Sequence, residues 1–255
     1  MSEETHADEE DLAEGTLLSH LIELRGRLVK MAAAVIVPFA LMIPWAKHIY
    51  DFVSAPLLGA TETGQMLATT AAGPLLAPFK LTFLVALFVA MPLILYQLWA
   101  FVAPGLYRKE KRFAFPLVAS SVLLFYAGVA FAYYVVFPLV FGFFGSISLE
   151  GVEYSPDISA YLDFVTSIVL AFGIAFEVPI ATVLVVWAGL TTPEKLGKAR
   201  PYVFLMAFVV GMFLTPPDVI SQTLLAIPVY FLYECGIIMS RLFTKKPKVP
   251  ETVET

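Results

Sequence analysis

Residues 201–240 read PYVFLMAFVVGMFLTPPDVISQTLLAIPVYFLYECGIIMS, and the four residues in the middle, Thr215-Pro216-Pro217-Asp218, decide the architecture. The stretch is apolar on both sides of that interruption. Two consecutive prolines remove two backbone donors and stop a helix. The stretch therefore holds two helices joined by a tight turn. The first has about 14 residues and rises only about 21 Å. A hydrocarbon core is about 30 Å thick, and a spanning helix needs about 20 apolar residues. The reading is a short helical hairpin whose outer turn sits below the normal membrane surface. Lipid must thin there, or partner proteins must cover it.

Working outward, four longer apolar runs precede the hairpin, at residues 28–46, 81–101, 113–137 and 164–188. The whole chain is 59% hydrophobic and 15% charged, with a mean hydropathy of +0.83. Soluble domains carry about 25% charged residues, so apolar surface on this scale needs lipid as its solvent. Pro38, Pro92, Pro179 and Pro228 fall inside the runs, where membrane helices tolerate them if neighbours satisfy the freed carbonyls. The expected fold is an all-α polytopic membrane protein. Six kinked transmembrane helices form a concave bundle, with helices five and six short. Residues 1–16 read as an acidic, disordered tail, 17–241 as the transmembrane domain and 242–255 as a second tail. No signal peptide is expected, because the acidic start lacks the basic, then apolar, pattern that one requires.

Charge placement sets the orientation. Arg25, Arg27 and Lys30 precede helix one, and Arg108, Lys109, Lys111 and Arg112 lie between helices two and three. Lys195, Lys198 and Arg200 lie between four and five, and Arg241, Lys245, Lys246 and Lys248 follow six. The other loops carry Asp51, Glu62, Glu150, Glu153, Asp157, Asp163 and Asp218. Cytoplasmic loops hold the Lys/Arg excess, so both termini are expected inside. The outer loop at 47–78 is about 30 residues long, a length typical of a functional cap or a disordered segment.

Few residues offer chemistry. There is no Walker loop, dinucleotide turn or Cys/His cluster, so no catalytic residue, metal site, cofactor or nucleic-acid partner is expected. Cys235 lies in an apolar stretch and reads as inert packing. Leu17, Leu21, Leu24 and Leu28 recur at helical spacing, which makes the segment before helix one an amphipathic extension at the interface. Within it, Glu23 stands four residues before Arg27, and the plain reading is an i,i+4 ion pair. Glu110 is the one acid in a basic loop, and local salt bridging accounts for it. Glu177 stands in helix four among uncharged neighbours, where a charge costs at least about 2.5–3.5 kcal/mol. It reads either as a neutral acid bonded to a carbonyl freed by Pro179 or as a functional group facing the bundle interior or a partner. Thr215, Asp218 and Gln222 gather at the hairpin turn, where Asp218 or Ser221 could cap helix six. Glu234 is within reach of Arg241 and reads as structural.

Several strings resemble the TatC family of twin-arginine translocation receptors. They are His20-Leu21-Ile22-Glu23-Leu24-Arg25, Ser54-Ala55-Pro56-Leu57, Tyr96-Gln97-Leu98-Trp99-Ala100-Phe101, Phe176-Glu177-Val178-Pro179, Arg200-Pro201-Tyr202 and Leu214-Thr215-Pro216-Pro217-Asp218. The resemblance runs from about residue 17 to 241, and the order of the strings on six spans makes it specific. One departure is visible: Thr69-Thr70 and Leu75-Leu76 stand where many relatives carry an acid and aromatics. The resemblance implies a receptor in the bacterial inner membrane, present in multiple copies. It would bind Arg-Arg signal peptides of folded proteins and work with TatA and TatB on the proton-motive force. It places signal binding at Glu23, Arg25, Phe101 and Glu110. A contact for a partner helix falls at Met212, Thr215 and Gln222, with Asp218 and the mid-membrane Glu177, and Pro56 falls in the outer cap. Two carboxylates at the interface suit two guanidinium forks, which lysine lacks. The competing reading is a secondary transporter of a small solute with Glu177 as coupling carboxylate.

Overall fold

The computed structural model describes residues 3–58, 67–70, 72–102, 111–146, 157–214 and 219–243. Side chains are described within these segments except at 3–20, 55–58, 102, 111–114, 144–146, 221 and 243. The described residues are helical almost throughout. Five helices are long and apolar enough to cross a membrane, and the shorter apolar helix Arg200–Leu214 makes a sixth.

The first span belongs to helix Glu3–Met42, which leads through a 3₁₀ turn at Ile43–Trp45 into helix Ala46–Leu58. That first helix begins at Glu3. The second span is Gly73–Val102. The third runs from Lys111 through a π-helical segment, Ala132–Val136, into Phe137–Ser146. The fourth is broken into Ile158–Ala175 and Val178–Trp187. The helix Pro193–Lys198 follows it, capped by the Thr192 hydroxyl, which accepts from the Lys195 amide. The fifth span has 15 residues, as the proline pair demands. The sixth, Val219–Phe243, has 25 residues and is not short. It continues past the apolar run through Arg241, whose long side chain can carry its charge out of the lipid.

The prolines act where the backbone rules put them. Pro92 cannot donate to the carbonyl of Phe88, and the Tyr126 hydroxyl of span three donates to that oxygen instead, at 2.8 Å. The fourth span breaks at Phe176 and Glu177, two residues before Pro179. There the Glu177 amide turns back to the carbonyl of Ile174 at 3.0 Å.

The spans pack as a bundle in which the third also lies on the fourth. The first lies on the second, the second on the third and fourth, the fourth on the sixth, and the sixth on the fifth. Two apolar clusters fill it. Leu81, Val136, Val140, Leu162, Val165 and Phe172 build the one nearer residue 157, and Met91, Leu95, Trp99, Phe125, Ile180 and Leu184 build the other. Small residues set the closest approaches. A Cβ on Gly128 would collide with the Phe172 carbonyl, and one on Gly236 would collide with the Thr182 hydroxyl. Large apolar side chains such as Leu41, Leu123, Ile174, Phe213 and Phe231 remain exposed, as lipid-facing residues do.

Candidate functional site

Three polar groupings interrupt the apolar surface. At the end of the bundle expected to face inward, Glu23 sits on the exposed side of the first helix. The Arg27 guanidinium donates to its Oε1 twice, from Nε at 3.0 Å and Nη2 at 2.6 Å. The expected i,i+4 pair is therefore present. Arg27 also reaches the second span, where Nη1 donates to Gln97 Oε1 at 3.1 Å. Gln97 lies one helical turn before Phe101, so the two share a face of that span. Arg27 thus links Glu23 on the first helix to Gln97 on the second span. Sequence reasoning quoted Gln97 only as part of a string. Arg25 is exposed. Glu110 lies outside the described residues.

At mid-depth the Glu177 carboxyl turns into the bundle. The Ser121 hydroxyl of span three donates to its Oε2. The Trp99 indole N–H of span two donates to the same Ser121 oxygen at 2.7 Å. Ser121 is fully buried and Trp99 nearly so. The carbonyl freed by Pro179 is that of Ala175, whereas the hydrogen bond described for the acid is to the Ser121 hydroxyl. The second carboxyl oxygen, Oε1, is buried with no hydrogen-bond partner among the described residues. An unsatisfied buried polar atom costs on the order of 1–3 kcal/mol.

At the hairpin, Gln222 Nε2 donates to the Phe208 carbonyl of span five at 2.6 Å. Gly211 lets the Gln222 side chain cross closely, its ideal Cβ position standing 3.2 Å from Gln222 Cγ. Met212 is exposed one residue further on. Thr215 and Asp218 lie outside the described residues, as does the Pro56 side chain. At the inner end of span six, Glu234 pairs with Arg200 and not with the nearer-in-sequence Arg241. Arg200 Nη2 donates to Glu234 Oε2 at 2.7 Å, and the Tyr230 hydroxyl donates to Oε1 at 3.0 Å. The pairing joins spans five and six below their turn.

On the opposite surface, Asp157 ties two loops together. Its Oδ1 accepts from the Ser159 and Ala160 amides at 2.9 and 3.0 Å, which caps span four. Its Oδ2 accepts from the Thr69 amide at 3.0 Å and the Thr69 hydroxyl at 2.6 Å. These donors hold the carboxyl down at about 2, the Thr69 hydroxyl contributing most. Lys80 and Asp163 add an ion pair of 2.8 Å between spans two and four. Thr69, noted only as a departure from the family pattern, is the partner that the acid needs.

The fold and these groupings define a multi-pass helical membrane protein with polar sites at its two ends and one in its middle. The chain belongs to the TatC family: residues 19–228 match the family described as Sec-independent protein translocase protein (TatC). It is 55% identical over 231 residues to the TatC protein of Escherichia coli (strain K12), with 90% of each chain covered. It is 57% identical over 222 residues to that of Azotobacter chroococcum mcd 1, with 87% of each covered. A crystal structure of the twin-arginine translocase receptor TatC superposes with a TM-score of 0.78 at 37% identity, covering 88% of this chain and 98% of that one. The protein is thus a component of a protein translocase.

Proposed function

We propose that this chain is the receptor subunit of a twin-arginine translocase of the bacterial inner membrane, with both termini cytoplasmic. It binds Arg-Arg signal peptides through Glu23 and Glu110, beside Arg25 and Phe101. It assembles in several copies with TatA and TatB, and the proton-motive force drives export. The observation that supports this most directly is the Glu23 carboxylate, which already accepts a guanidinium in two hydrogen bonds at the inner end of the bundle. An oxygen so placed suits the planar fork of a signal arginine. Glu177, Met212, Thr215, Asp218 and Gln222 provide the contacts for partner helices, and Pro56 belongs to the outer cap. A small-solute transporter draws no support, because the family carries proteins.

Titration of an Arg-Arg signal peptide onto the purified chain tests the reading. Glu23→Ala and Glu110→Ala should each weaken binding about tenfold to a hundredfold, since a hydrogen bond to a charged group is worth about 1.5–3 kcal/mol. A Lys-Lys peptide should bind weakly even to the unaltered chain. Wild-type affinity in both variants would leave the two acids as ordinary surface residues.

A further inference from the structure

The chain from Trp99 through Ser121 to Glu177 joins spans two, three and four by side chains alone. Two of its members are buried among apolar residues, and nothing in the proposed function uses them. The acid is half satisfied: Oε2 takes the Ser121 hydroxyl, while Oε1 is buried without a partner among the described residues. It stands at the break of span four, where the amide bonds back to Ile174 and regular helix is interrupted between Ala175 and Val178. A carboxyl with one good bond and one orphaned oxygen has something to gain from a second arrangement. We propose that Ser121, oriented by the Trp99 indole N–H, is a positioning residue that holds the Glu177 side chain inside the bundle at rest. A partner helix presenting a polar side chain at this depth draws Glu177 away from Ser121 and satisfies both of its oxygens.

The chemistry of each group fits the task. A serine hydroxyl donates one hydrogen bond and accepts others. The indole N–H can only donate, so it directs the serine proton away from itself and toward the carboxyl. The hold is one hydrogen bond at the carboxyl, strong enough to bias the side chain and weak enough for a partner to overcome. This inference rests on the reading that Glu177 meets a partner helix.

The test uses the full chain in membranes with TatA and TatB. A photocrosslinker at Ile174, which is exposed on span four three residues before Glu177, reports the arrival of TatA. The unaltered chain should crosslink TatA only when an Arg-Arg passenger is present. Ser121→Ala should raise passenger-independent crosslinking about threefold to tenfold, the range expected from losing one hydrogen bond. Trp99→Phe, which keeps the ring and loses the N–H, should raise it less. Arg-Arg peptide affinity should not change in either variant, which separates the effect from misfolding. Glu177→Ala should lose passenger-dependent crosslinking. If Glu177→Ala loses it and Ser121→Ala behaves as wild type, or loses it too, the positioning role fails and the partner reading survives. If Glu177→Ala crosslinks normally, the partner reading fails and takes the positioning role with it.

Discussion

Asp157 shows how one carboxylate can stitch two distant loops. The sequence marks it as a turn residue after Ser155-Pro156, but its partner Thr69 stands 88 residues away and carries no local signal. Its folded carboxyl sits at about 2, below the ordinary aspartate value of about 3.9. A depressed acid stabilises the fold above its unfolded value and loses that contribution as pH falls through the folded one. Hydrogen exchange at the Thr69, Ser159 and Ala160 amides should therefore stay protected from neutral pH down to about 4, after correction for intrinsic rates. Protection should then fall as the pH approaches about 2. Asp157→Ala should expose the three amides at every pH, and protection equal to wild type in that variant would refute the tie. Glu177 follows the same logic of legibility. Its cost at mid-depth is plain from the apolar residues around it. Ser121 and Trp99 are ordinary members of apolar runs, and only packing reveals that they meet it.

Elements were legible where the chain states its own boundaries. The paired prolines after Leu214 set the length of span five, and the apolar runs locate the other spans. The ends were less legible, because helices extend into polar flanks that hydropathy does not count. Span six reaches Phe243 for that reason, and the second span starts at Gly73, several residues before the expected 81. The contact of spans four and six depends on a missing side chain at Gly236, with Thr182 and Pro179 opposite. Gly236→Ala should cost about 1–3 kcal/mol through overpacking. That lowers the melting temperature in detergent by roughly 2–10 °C. Gly142→Ala, which meets nothing within 4 Å, is the matched control and should be neutral or slightly stabilising. Equal melting temperatures for the two variants would show that the helices separate at no cost.

For the whole molecule, the charge pattern makes the strongest forecast. Reporters fused after Pro156 should read outside, and those after Lys109 or Lys246 inside. An inside reading at Pro156 would break the six-span arrangement. The packing order of the bundle, with span six on both four and five, had no signature in the chain. One last feature works at this scale. Without the π segment at Ala132–Val136, the third span would be a single α-helix with one buried stripe. Each residue of an α-helix turns its successor by about 100°, and the wider π turn adds an offset to that count. Ser121 and Phe125 before the segment address one apolar cluster, and Phe137 and Val140 after it address the other. The segment is thus a torsional vernier. Winding the same residues as regular α-helix would swing Val140 and its neighbours about a quarter turn out of their cluster, whereas deleting one residue from the segment restores regular winding and leaves them facing it.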